Sequence, residues 1–141
     1  MIPKKTFVDA GVLIDAARGK PETAGYAMRI LDDPEREFVS SPFVKLEVLP
    51  KAIYEKNQDE AEFYKTFFDA VTHWPKSVEE VTSRAVDEAC KFGLSAVDAL
   101  HVAAAVIAGA DILITTEKPE KPIFRVTSIR IVSVRPDALK Q

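Results

Sequence analysis

The feature that most limits how this chain can fold is a single stretch. From Ala96 to Ala110 the only polar side chains are Asp98 and His101; the rest are Ala, Val, Leu, Ile and Gly109. Ser95 is a good N-cap for a helix there, and Gly93 closes the helix before it. A helix apolar on every face has no side to give to water, so it belongs inside a domain. Asp98 and His101, three positions apart, then share one face. A carboxylate in a buried helix is costly unless something pairs with it. The fold must therefore bring a partner to Asp98. Ser95-x-x-Asp98 also fits a capping box, in which Asp98 turns back on the Ser95 amide and complements the helix dipole. His101 alone fits a packed core histidine. A catalytic role for the pair requires other carboxylates at the same place.

Taken in order, the rest of the chain alternates strands and helices. Thr6-Phe7-Val8 is a short β-prone run that stops at Asp9, and a helical pattern runs from Val12 to Arg18. Gly19-Lys20-Pro21 breaks the chain, and a second helix fits Glu22 to Leu31 before Asp32-Asp33-Pro34. Glu37 to Ser40 reads as a second strand. Ser41-Pro42 supplies a cap and a first-turn proline for a third helix, with Phe43, Leu46 and Ile53 on its apolar face and Glu47 in the middle. Pro50 should kink that helix or end its first part. Asp59 to Trp74 is strongly helical, Pro75 stops it, and Ser77 can cap Val78 to Phe92. Asp111 to Thr115 reads as an interior strand, Lys118 to Pro122 as a loop, and Ile129 to Val134 as a last strand before a tail from Pro136. Such alternation argues for an α/β domain with a mainly parallel sheet.

At 141 residues, 47% hydrophobic and 29% charged, the chain has the size and balance of one globular domain, 1–141. The formal charge of −3 gives no basic footprint for non-specific nucleic-acid binding, so such a partner would need a local patch or metal ions. Cys90 is the only cysteine, which excludes a disulfide within the chain; inside a helical pattern it reads as a small core residue. The apolar run after Met1-Ile2-Pro3-Lys4-Lys5 is too short for a signal peptide, and no stretch is long enough to span a bilayer. The expected location is cytoplasmic.

In open parallel sheets, ligands bind beyond the carboxyl ends of the strands. Asp9 ends the first strand, and Glu117 follows the strand ending at Thr115. Glu47 and Asp98 lie near the starts of helices, which face the same edge in βαβ units. All four carboxylates can converge there. Like charges brought together raise one another's pKa or demand a cation. An all-oxygen set suits Mg²⁺ or Mn²⁺, and no Cys/His spacing points to zinc. A bound metal supplies a water nucleophile and neutralises charge on a phosphodiester. The chemistry implied is metal-assisted hydrolysis of a phosphate ester, with the metals offsetting the negative protein so that RNA can be held.

These segments, in this order, resemble the PIN-domain family, of the VapC toxin type. Val8-Asp9 resembles the opening motif, and Ser41 to Glu47 carries the second acidic position. Leu94-Ser95-Ala96-Val97-Asp98-Ala99 resembles the third, and Ile112 to Lys118 resembles the T-x-D segment. The resemblance covers nearly the whole chain. It implies a PIN-like three-layer fold with a small mainly parallel central sheet flanked by helices. It also implies a Mg²⁺- or Mn²⁺-dependent endoribonuclease, a homodimer, and inhibition by a cognate antitoxin. Asp9, Glu47, Asp98 and Glu117 are then the catalytic set, with Asp9, Glu47 and Asp98 as metal ligands. Two positions depart from the pattern. Gly11 stands where Asn, Ser or Thr is usual, and Glu117 stands where Asp is usual. If these departures weaken the site, Asn at 11 and Asp at 117 should raise metal affinity or rate.

Arg18, Lys45 and Thr115 are candidate substrate contacts, with Lys118 a further basic residue near the same edge. Phe63, Tyr64, Phe67, Phe68 and Trp74 form an aromatic stripe that is expected to be partly exposed and to take a second subunit or an inhibitor segment. A second reading keeps the fold and drops the chemistry: a PIN-like domain that binds protein or RNA with weak or no catalysis. A phosphotransfer fold ranks third. A receiver wants an acidic pair after the first strand, and a haloacid-dehalogenase-like phosphatase wants an Asp at position 11.

Overall fold

The computed structural model describes residues 4–134. The expected tail from Pro136 lies outside them. Four strands, β1 (Lys4–Val8), β2 (Arg36–Val39), β3 (Ile112–Thr115) and β4 (Arg130–Ser133), form one sheet in the order β2-β1-β3-β4. Every pairing is parallel: Thr6 lies opposite Phe38 and Ile112, and Ile114 lies opposite Val132. Parallel strands need long crossovers, and helices supply them: α1 (Ala10–Arg18), α2 (Ala24–Leu31), α3 (Pro42–Tyr54), α4 (Gln58–Ala70), α5 (Val78–Phe92) and α6 (Ala96–Ile107). A 3₁₀ turn at Pro122–Arg125 falls in the last connection. This is the α/β sheet-and-helix arrangement expected from the sequence.

Helices on both faces leave the central strands dry. Phe7, Val8, Leu113 and Ile114 are buried, so β1 and β3 read as continuous apolar runs rather than alternating ones. Against them packs α6, whose Val102, Ala103, Ala104 and Ala105 are wholly buried. Its first turn is not: Ala96 and Val97 are exposed, Val97 by 46%. The helix dives into the core with Asp98 at the point of entry.

Several sequence expectations need correction. The third helix runs unbroken through Pro50. Proline removes the hydrogen bond to the carbonyl of Leu46, but both residues are exposed, so water can serve that carbonyl. The fourth helix ends at Ala70, not Trp74. Val71 turns extended, the Thr72 and His73 amides donate to Phe38 O at 3.1 and 3.3 Å, and Ser40 N donates to His73 O at 3.2 Å. The run is thereby laid along the edge of β2, with His73 bridged to Val39. Tyr64, Phe67 and Phe68 of the aromatic stripe are core residues; Phe63 is half-buried and Trp74 is 37% exposed. The larger exposed apolar side chains lie on α3, at Leu46, Ile53 and Tyr54. Cys90 is exposed rather than core. Val81, Ala85 and Glu88 set the buried face of α5, and Cys90 falls off it. Among the described residues no single helix is long and apolar enough to cross a membrane.

Candidate active site

The strand order sets where a site can form. From β1 the chain moves to β2 on one side of it, while β3 lies on the other, so the order reverses between β1 and β3. A crevice opens at the carboxyl ends of the strands at such a point. Asp9 and Thr115 occupy those two ends. The Asp9 amide donates to Ile114 O at 3.0 Å, which fixes the residue across the β1–β3 junction.

Asp9 is also the N-cap of α1. Its Oδ1 accepts from Val12 N at 3.2 Å, and its Oδ2 accepts from the Thr115 hydroxyl at 2.5 Å. The same Thr115 oxygen accepts from Glu117 N at 3.1 Å. One buried threonine therefore holds the first carboxylate and the backbone of the fourth acidic residue. On the helix side, His101 Nε2 of α6 is paired with Glu47 Oε1 of α3. His101 is 4% exposed and packs its ring 5.9 Å from that of Phe7. Its Nδ1 is buried with no hydrogen-bond partner among the described residues. Glu47 keeps 39% of its side chain in solvent. Ser95 is the N-cap of α6, its Oγ accepting from the Asp98 amide at 3.3 Å.

These groups feel one another. Burial lifts Asp9 from 3.8 to about 6, and the Glu117 charge adds to the rise; the Thr115 hydroxyl, a positive charge on His101 and the Val12 amide oppose it. Asp98 is raised for the same first reason, with Glu117 and Glu47 adding and His101 and Ser95 opposing. Asp9 and Asp98 thus both feel Glu117 and His101, and Asp98 also feels Glu47. None of the four has a lysine or arginine partner among the described residues. No three carboxylate, imidazole or thiol groups among those residues form a ready-made metal cage.

The candidate substrate contacts are less united. Thr115 is buried and spent on Asp9 and Glu117. Arg18 is nine residues from Asp9 along α1, roughly 13 Å by helical rise, and is bonded to Glu60 Oε1 at 3.0 Å. Lys45 is exposed, with its Nζ 5.8 Å from the centre of the Phe68 ring; two residues from Glu47, it faces a different side of α3. Lys118 is exposed beside Glu117.

Two features escaped the sequence reading. The first is the pairing of His101 with Glu47. Its signal was the i,i+3 spacing from Asp98, but a spacing within one helix cannot name a partner on another. The second is steric. A Cβ built on Gly11 would collide with Thr116 Oγ1 and lie 3.4 Å from Asp9 Oδ1. A side chain at 11 therefore collides with Thr116 as it stands, so Asn there could serve the site only if Thr116 moved.

The description of the PIN domain matches residues 6–118. The chain belongs to the PIN domain family. No curated protein matches it in sequence. Among solved structures it is similar to the toxin–antitoxin complex from Klebsiella pneumoniae, at 19% identity and a TM-score of 0.70 over 92% of this chain and 97% of that one. It is similar to VapBC2 from Rickettsia felis bound to a DNA fragment from its promoter, at 13% identity and a TM-score of 0.69 over 92% and 98% of the two chains. For VapBC-1 from nontypeable Haemophilus influenzae the identity is 17% and the TM-score 0.65, over 92% and 98%. Identities this low carry the fold.

Proposed function

We propose that the carboxyl edge of the sheet is the centre of a divalent-metal-dependent endoribonuclease, and that the chain is the toxin of a toxin–antitoxin pair. The observation that carries the reading is electrostatic. Asp9 and Asp98 both have pKa values raised by burial and by the Glu117 charge, Asp98 also by Glu47, and none of the four acids has a lysine or arginine opposite it among the described residues. Such a set stands ready for a cation.

The donors fit Mg²⁺ or Mn²⁺. They are all oxygen, and Mg²⁺ takes one or two carboxylates while keeping several waters, so a closed protein cage is not needed. Asp9, Asp98 and Glu47 would hold the ion, with Glu117 at the rim. A bound ion would supply an activated water and neutralise charge on the phosphodiester.

The chain's own groups do the positioning. Thr115 fixes the rotamer of Asp9 from β3, and the Val12 amide fixes it from α1. His101 holds Glu47 toward the crevice from a ring that cannot turn freely among Phe7 and the alanines of α6. Ser95 anchors the first turn of α6 and with it Asp98. Lys45 and Lys118 are exposed cations that can receive RNA phosphates; Arg18, tied to Glu60, is not offered for that role. The toxin–antitoxin complexes of similar fold support an antitoxin partner and, with a homodimer, complete the proposed assembly.

The test is cleavage of a broad RNA panel with added Mg²⁺ or Mn²⁺, comparing wild type with Asp98→Asn. Metal-dependent cleavage that the substitution abolishes supports the reading. A folded wild type that cuts no RNA and binds Mn²⁺ no better than Asp98→Asn would overturn it and leave a partner-binding domain.

A further inference from the structure

We propose that the Thr116 hydroxyl stands in for the missing side chain at position 11 and positions Asp9 for the metal centre. This rests on the nuclease reading above and adds to it a residue that neither the acidic pattern nor its Thr-x-acid segment singles out.

The starting point is a glycine with no backbone reason to be one. Gly11 is the second residue of α1, and its φ is not among the positive values at Gly19, Gly93 and Gly109. Glycine inside a helix costs about 1 kcal/mol relative to alanine. Packing supplies the reason. The space a side chain would enter from Gly11 is filled by Thr116 Oγ1, with Thr116 Cβ 3.4 Å from that point. Asp9 Oδ1 also lies 3.4 Å from it. The hydroxyl therefore fills the space a side chain on residue 11 would enter, a space that Asp9 Oδ1 also borders, but it arrives from the end of β3 instead of the first turn of α1.

Thr115 donates to Oδ2 of Asp9 at 2.5 Å and the Val12 amide donates to Oδ1 at 3.2 Å, while Thr116 fills the space above Gly11 that Oδ1 borders. Thr116 is half-buried. Gly11 and Thr116 form one unit: the first must be small because the second is there.

The experiment is a transplant of the hydroxyl, read by Mn²⁺ affinity from electron paramagnetic resonance alongside cleavage. Thr116→Val keeps the shape and should weaken Mn²⁺ binding about tenfold, the scale at which groups that orient a ligand act, while Thr116→Ser should bind as wild type does. Gly11→Ser alone should lose affinity and melting temperature through the collision. Gly11→Ser on a Thr116→Ala background should regain most of what Thr116→Ala loses, so the sign of the Gly11→Ser effect reverses with the residue at 116. A purely structural role would leave Mn²⁺ affinity unchanged in folded Thr116→Val. That result, or a double variant no better than Thr116→Ala, overturns the proposal and spares the nuclease reading. A wild type that takes up no Mn²⁺ at all overturns both.

Discussion

Buried acids occur twice in this molecule, and the two settings are opposites. Away from the crevice, Glu60 and Glu88 are 7% and 3% exposed, and each is answered in full. Glu60 meets Arg18 Nε at 3.0 Å, the Tyr64 hydroxyl at 3.0 Å and Asn57 Nδ2 at 3.3 Å. Glu88 meets Arg84 Nε and Ser128 Oγ, each at 3.0 Å. At the crevice, Asp9, Asp98, Glu47 and Glu117 meet hydroxyls, amides, one histidine and one another. The first arrangement satisfies a charge by means of the fold alone. The second leaves net negative charge that the fold alone does not neutralise. A carboxylate with an arginine is a structural element; a group of carboxylates without one is, in the function proposed above, a ligand set. Depth of burial does not single out the crevice set, since Glu60 and Glu88 are the more deeply buried. Partnering does.

The largest expected effect breaks that comparison by exchanging its halves. Asp98→Asn should reduce metal-dependent cleavage at least about a hundredfold while the melting temperature holds or rises, because one repelling charge is gone. Glu60→Gln should do the reverse: a loss of about 1–2 kcal/mol in stability, moderated because Arg18 is half in solvent, with cleavage per folded molecule unchanged. Denaturant melts and RNA turnover on the same preparations check both. Equal behaviour of the two variants would erase the distinction.

A second effect concerns pH. The folded pKa of Asp9, about 6, lies above its ordinary 3.8, so the folded state holds that proton more tightly than the unfolded one. The resulting stabilisation is complete below about pH 4 and is lost as pH rises through about 6. In metal-free buffer, wild type should lose on the order of 2–3 kcal/mol over that window relative to Asp9→Asn, which has no such proton. Added Mn²⁺ should recover stability above pH 6. Parallel pH–stability curves for the two proteins would show the account to be wrong.

His101→Leu should lower cleavage about tenfold by freeing Glu47, and His101→Gln, which keeps a donor near Nε2, should retain more. Glu117→Asp should matter least. At the rim of the set, its shorter side chain should change Mn²⁺ affinity by no more than about fivefold, under about 1 kcal/mol. Calorimetric titration checks it, and a hundredfold loss would show that the extra methylene is required.

How much of this the sequence disclosed follows from what kind of physics each feature rests on. Helix α5 came through because Ser77 and Gly93 cap it by local chemistry, and α6 because Ser95 caps it and its composition forces it inward. Asp9 and Glu117 were legible as strand-end acids because their position depends only on β1 and β3 being parallel. The end of α4 was not: Val71 to Trp74 is helical by pattern, and only hydrogen bonds to Phe38 and Ser40 across the sheet edge draw it out. The arginine partners of Glu60 and Glu88 illustrate both cases. Arg84 is four residues from Glu88 on one helix and can be read from spacing, whereas Arg18 reaches Glu60 from 42 residues away. The space above Gly11 was invisible for the same reason, since Thr116 arrives there through the tertiary fold.

The central claim is that the carboxylates proposed for the crevice, which lack a lysine or arginine partner, take a divalent ion and the arginine-paired ones do not. Paramagnetic broadening of backbone amide signals by substoichiometric Mn²⁺ tests it in one experiment, with both classes in view. The account predicts selective loss of the signals of Val8, Asp9, Asp98, Thr115 and Thr116, with those around Glu60 and Glu88 intact and with the effect abolished in Asp98→Asn. Uniform broadening, or loss centred on Glu60 or Glu88, would contradict it.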